Sequence, residues 1–177
     1  MKKKTLALVL ALTLLVAGVV GGTLAWLTDQ TAEVKNTFTV GDINIGLTET
    51  TTDYKMVPGN TIAKDPTVTV KANSEACWLF VQVTESTDLK DFITYAIAEG
   101  WTALPGVDGV YYREVPASAA DQTFSVLADD AVTVKSDVTR TMLETAKTDA
   151  PTLTFQAYAI QKDHFATADA AWAEVSK

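Results

Sequence analysis

Cys77-Trp-Leu-Phe-Val-Gln-Val83 decides the fold: it is apolar at odd and even positions alike, which predicts a central strand covered on both faces. Working outward, Thr67-Val-Thr-Val-Lys71 before it alternates cleanly, as a half-buried strand does. After it, Val110 to Val115, Gln122 to Leu127, Ala131 to Lys135 and Thr152 to Gln161 read as further strands. In the last of these, Leu153, Phe155, Ala157 and Ala159 share one face. Turns are expected at Val107-Asp-Gly109, at Ala128-Asp-Asp130 and at Val57-Pro-Gly-Asn60. In that last turn Pro58 presets one dihedral and Gly59 supplies the positive φ of type II.

The period changes between Asp88 and Gly100, where Leu89, Phe92, Ile93, Ala96 and Ile97 recur at helical spacing and predict one short amphipathic helix stopped by Gly100. Ser136 is placed to cap a second helix carrying Val138, Met142 and Leu143. The alanine-rich tail, Ala166 to Val175, reads as a loosely held helix with Trp172 as its one large anchor. Many short strands broken by two or three short helices make an all-β, antiparallel β-sandwich.

Upstream, Lys2, Lys3 and Lys4 precede an uncharged apolar run from Thr5 to Val20, Gly21 and Gly22 break it, and Thr23 and Ala25 put small residues at alternate positions. This is the pattern of a helical signal peptide, residues 1–25, cut between Ala25 and Trp26. An uncleaved anchor is the other reading, because the run extended to Leu27 approaches the ~20 residues that span a bilayer. Removing 25 of 177 residues leaves 152, one domain (26–177) by size. Phe38, Val40, Ile43, Ile45 and Leu47 then form the core side of a first strand, with Gly41-Asp42 shifting the phase as a bulge does.

Cleavage removes three lysines and no acid, so the formal net charge moves from -8 to -11. That surface repels nucleic acid and anionic head groups and excludes both as partners. Cys77 is the only cysteine, so no intramolecular disulfide forms. It reads as a small buried hydrophobe, or as a cross-linking thiol if its strand lies at an edge. His164 is the only histidine and is expected on the loop after the last strand, which excludes a zinc site of several imidazoles within one chain. No phosphate loop, nucleophile elbow or dinucleotide fingerprint is present. No cofactor is expected. Calcium at the acidic turns around Asp65 and Asp129-Asp130 is the one metal worth weighing, without any EF-hand spacing behind it. Trp101, Tyr111 and Tyr112 read as core residues, with a sugar-stacking platform as the alternative.

Three segments together resemble the TasA/camelysin family of exported proteins from Gram-positive bacteria, which includes biofilm matrix fibre subunits. They are Gly21-Gly-Thr-Leu-Ala-Trp-Leu-Thr-Asp29 with Asn36-Thr-Phe-Thr-Val-Gly-Asp-Ile-Asn-Ile45, then Val57-Pro-Gly-Asn-Thr-Ile-Ala-Lys-Asp65 with Val68 and Val70, and Leu153-Thr-Phe-Gln-Ala-Tyr-Ala-Ile-Gln161. The resemblance implies a jelly-roll-like sandwich, cleavage by an ER-type signal peptidase, and a secreted fibre built by donor-strand complementation. In that assembly residues 26–37, with Trp26, Leu27 and Val34 as its apolar members, complete a sheet of the next copy or of a related subunit. The chain is accordingly read as non-enzymatic and extracellular, with no stable membrane insertion after cleavage. The alternatives are a monomeric cell-surface adhesin or glycan-binding module and, last, a camelysin-like metalloprotease, against which a single histidine argues.

Overall fold

In a computed structural model, which describes residues 42–51 and 54–177, the strand Cys77–Glu85 is the axis about which the other elements are arranged. The strands are β1 (Ile45–Thr48), β2 (Thr61–Ala63), β3 (Thr67–Val70), β4 (Cys77–Glu85), β5 (Ile93–Thr94), β6 (Thr102–Ala103), β7 (Val110–Val115), β8 (Gln122–Ser125), β9 (Ala131–Val134) and β10 (Leu153–Gln161). The helices are α1 (Leu89–Phe92), α2 (Arg140–Ala146) and α3 (Ala168–Val175). Among the described residues the strands form three antiparallel sheets, ordered β1-β3-β8, β10-β4-β7-β6 and β2-β9-β5. The all-β antiparallel sandwich is therefore as expected. The leader, the segment 26–37, Phe38, Val40 and the Gly41 half of the bulge lie outside the described residues.

β4 is covered on both faces, as its continuous apolar run requires. Cys77, Leu79, Val81 and Val83 pack with Val68, Val70, Val115 and Val126 between the two larger sheets. Trp78 and Phe80 point the other way and pack with Leu104, Val110, Ala168 and Ala171. Period-two alternation on a strand buried from both sides produces this division. A third cluster, centred on Phe92, Leu127, Val132 and Val134, fills the end of the molecule that carries the small sheet.

Three local expectations are corrected. The helix expected over 88–100 is helical only from Leu89 to Phe92, and Ile93 takes φ -130 and ψ 162. Ile93 and Thr94 pair instead with Val134 and Thr133, and Ile97 bridges to Leu127. Both residues at the switch are β-branched, and a ladder partner supplied from 40 residues downstream overrides the local helical period. The second helix starts later than expected: Thr139, not Ser136, is its cap, accepting from the Met142 N–H at 3.3 Å. Ser136 and Asp137 form a turn that seats Val138 in the core first.

The tail is not loosely held. Thr167 caps α3 by accepting from the Ala170 N–H, Ala168 and Ala171 are buried, and Trp172 packs at 5.3 Å from Phe80 and 5.2 Å from Tyr158. Trp78 Nε1 also donates to the Phe165 carbonyl at 3.0 Å. Alanines here let the helix backbone lie close against the sheet, so the composition that suggested weak anchoring serves close packing.

Candidate functional site

β10 pairs with β4 over all nine of its residues, and it ends its sheet. Among the described residues its outer edge has no strand partner. Nine residues at about 3.3 Å each make an unpaired edge of roughly 30 Å. Leu153, Phe155, Ala157 and Ala159 face the sandwich core, yet no residue of β10 is fully buried. Across from them lies β1, whose one partner is β3, with Ile43, Ile45 and Leu47 likewise half-buried. A cavity of about 380 Å³ separates Leu47, Thr48 and Pro66 from Leu153, Thr154 and Phe155. This flank therefore combines free main-chain donors and acceptors with an incompletely covered apolar wall.

A polar cluster closes one end of this groove. Lys64 is 7% exposed, its Nζ lies 2.5 Å from a Glu49 carboxylate oxygen, and the ammonium sits over the rings of Tyr54 at 4.6 Å and Phe155 at 5.4 Å. The Tyr54 hydroxyl has two acceptors for its one proton, a Glu49 carboxylate oxygen at 2.7 Å and the Thr51 carbonyl. Burial, and then Glu49, push that hydroxyl above its ordinary pKa. Asp65 accepts from the N–H of Thr50 at 2.9 Å and from its hydroxyl, and these bonds hold its carboxyl below the usual carboxylate range. The sequence carries no signal for the Lys64–Glu49 pair, because 15 residues and a chain reversal separate the partners.

At residues 57–60 the Asn60 N–H donates to the Val57 carbonyl at 3.0 Å across Pro58, and Gly59 has φ +80. Ile43, Ile45 and Leu47 pack against the core, whereas Ala25, Trp26, Leu27, Val34, Phe38 and Val40 lie outside the described residues. Cys77 is fully buried between β7 and β10, not at an edge, and burial pushes its thiol up to about 11. Tyr111 and Tyr112 point to opposite faces of β7, and Trp101 is tied to the Ser125 carbonyl at 2.8 Å, so the three form no common platform. Asp129 and Asp130 both adopt positive φ in their turn. Among the described residues no three His, Cys, Asp or Glu side chains are grouped as metal ligands are. His164 is exposed in the turn after β10.

The fold and this flank define a small antiparallel β-sandwich in which, among the described residues, the nine-residue β10 has an unpaired outer edge. Residues 1–87, just under half of the chain, match the family described as Camelysin metallo-endopeptidase, which supports the resemblance to the TasA/camelysin family over the N-terminal part. No curated protein and no solved structure matches the chain. The described residues do not fit the metal that the family's description implies, since they offer no clustered donor set and His164 stands alone.

Proposed function

We propose that the chain is a secreted, non-enzymatic structural subunit of an extracellular fibre, in which residues 26–37 of one copy pair with the outer edge of β10 in the next. The observation that carries this reading is the flank between β10 and β1: an edge of nine residues with no strand partner among the described residues, beside half-buried apolar side chains and a cavity of about 380 Å³. An unpaired edge is a template for a further strand, whose main chain satisfies the ladder while alternate side chains fill the space behind it. Because donor and acceptor are different surfaces, the contact does not close on itself and repeats into a filament. The free N-terminus at Trp26, left by signal peptidase, is the natural donor, with Trp26 and Val34, eight positions apart and so on one face of a strand, as the residues turned inward.

Negative-stain electron microscopy of the protein beginning at Trp26 tests the reading. Filaments are expected, and they should disappear when residues 26–37 are deleted or when Val34→Pro removes a ladder N–H. Filaments of normal length from either variant would falsify the donor assignment. Monodisperse particles from the unaltered chain would favour a monomeric surface module.

A further inference from the structure

On the opposite flank of the same sheet we infer that Arg113 is a binding point for a carboxylate, held ready between Phe124 and Trp101 at the edge formed by β6 and β8. Arg113 lies on β7 opposite Leu79, and alternation puts its side chain on the sandwich-facing side with Tyr111 and Val115. Its guanidinium carbon is 3.9 Å from the Phe124 ring centroid and 5.4 Å from that of Trp101. Trp101 is fixed independently by its bond to the Ser125 carbonyl, so the aromatic wall does not depend on the arginine. Gly100, at φ +87, lies against the guanidinium; a Cβ there would stand 3.1 Å from Nη2 and 3.4 Å from Cζ and Nη1.

Among the described residues the arginine has no ion-pair partner, in a chain with acids to spare. Asp and Glu outnumber Lys and Arg by 22 to 14, yet none of the five ion pairs among the described residues involves Arg113. Its Nε is buried with no hydrogen-bond partner. Desolvation accordingly pulls its pKa down with no counter-charge to offset it. A desolvated cation without a partner is costly, and most buried polar atoms in folded proteins are satisfied, so this one calls for an explanation.

Nε itself is enclosed, so the atoms a ligand would meet are Nη1 and Nη2, which have no hydrogen-bond partner among the described residues. With Cζ held over the Phe124 ring, that planar fork matches the two oxygens of a carboxylate. Part of the desolvation and ordering that such a pair ordinarily requires is already complete in the free protein, which favours binding. The aromatic floor suits a carboxylate carried on a short apolar stem. This inference stands apart from strand exchange, which uses the other flank.

The test is a titration of the 15N-labelled protein with sodium acetate at constant ionic strength against sodium chloride, following the Trp101 indole N–H and the Gly100 amide. A saturating shift is expected, abolished in R113Q and weakened about tenfold in R113K, which keeps the charge but not the fork. A purely structural stack would leave acetate without effect. A linear drift with no saturation in the unaltered protein overturns the inference without recourse to any variant. Equal saturation in R113Q, or saturation by sodium phosphate and not by acetate, overturns it as well.

Discussion

β7 and β10 flank the same central strand and differ in how they are finished. β7 begins and ends in the core, with Val110 and Val115 each 1% exposed, and β6 pairs with its Tyr111 and Tyr112 on the far side. β10 is the longer of the two and has no fully buried residue and no outer partner among the described residues. One hydrophobic strand thus supports a flank completed in the core and one left half-covered. Natural sheets blunt their free edges with charge, proline or a covering loop, and β10 carries none of these along its core-facing row of Leu153, Phe155, Ala157 and Ala159.

The completed flank is the place to do the most damage. Gly109 closes the turn into β7 at φ +72, and a Cβ there would lie 2.4 Å from the Val83 carbonyl oxygen. Gly109→Ala therefore meets both backbone strain and a collision with main chain that cannot rotate away. We expect a loss of at least about 3 kcal/mol, or roughly 10 °C in the thermal midpoint, read by circular dichroism. A midpoint within a degree or two of the parent would show that the β4–β7 turn is free to rearrange.

Removing the cover over the outer face sharpens the contrast. Trp172 spans Phe80 on β4 and Tyr158 on β10, so Trp172→Ala should cost about 2 kcal/mol, less than a fully buried tryptophan because the ring is only part-covered. Amide hydrogen exchange should accelerate in β10 before β7. Uniform acceleration across the sheet would mean that the two flanks open together.

Cys77 reports on both flanks at once, since it pairs with Val115 on one side and Gln161 on the other. Burial lifts its thiol from 9.0 to about 11, so the neutral form is favoured in the fold. The resulting stabilisation is whole below about pH 9 and is lost as pH rises towards 11. Iodoacetamide should alkylate the native protein at least about tenfold more slowly than the unfolded chain near neutral pH. Equal rates would place the thiol in a strand that is already open.

The smallest effects concern two aspartates, one on each flank. Asp121 ties down Lys71 and the Ala72 N–H beside β8, while Asp65 holds Thr50 after β1. Backbone and side-chain hydrogen bonds keep both carboxyls below their ordinary value of 3.8. Their contribution is present above that value and is lost as pH falls through the lowered one. Asp121→Asn and Asp65→Asn should each flatten the decline in thermal midpoint on acidification below about pH 4, by a small amount because both groups are solvent-exposed. If neither variant changes the acid limb, these clamps do not hold in solution.

Much of the sandwich was legible because its strands obey their local pattern. β4 announced burial on both faces, β3 and β10 alternated, and Pro58-Gly59 specified its turn by dihedral preference alone. The segment after Asp88 misled for a definite reason: apolar residues at 89, 92, 93, 96 and 97 satisfy a helix, and equally one helical turn followed by an extended piece. Which occurs depends on β9, far along the chain. The alanines of α3 carry no sequence sign of what they lie against, and Lys64 gives no hint of Glu49. Arg113 reads as an ordinary strand charge until Phe124 and Trp101 are brought to it.

By itself the sequence determined the acidic, disulfide-free character of the chain, its antiparallel β class, the strand that forms its axis and the position of its main turns. These depend on composition, on side-chain alternation and on the dihedral limits of proline and glycine, all of which act over a few residues. Three outcomes came from the assembled fold: that β10 has no outer partner among the described residues, that the C-terminal helix packs on the outer face, and that Arg113 buries an Nε with no hydrogen-bond partner. Those outcomes depend on contacts between residues tens of positions apart, where burial and ladder pairing outweigh local preference.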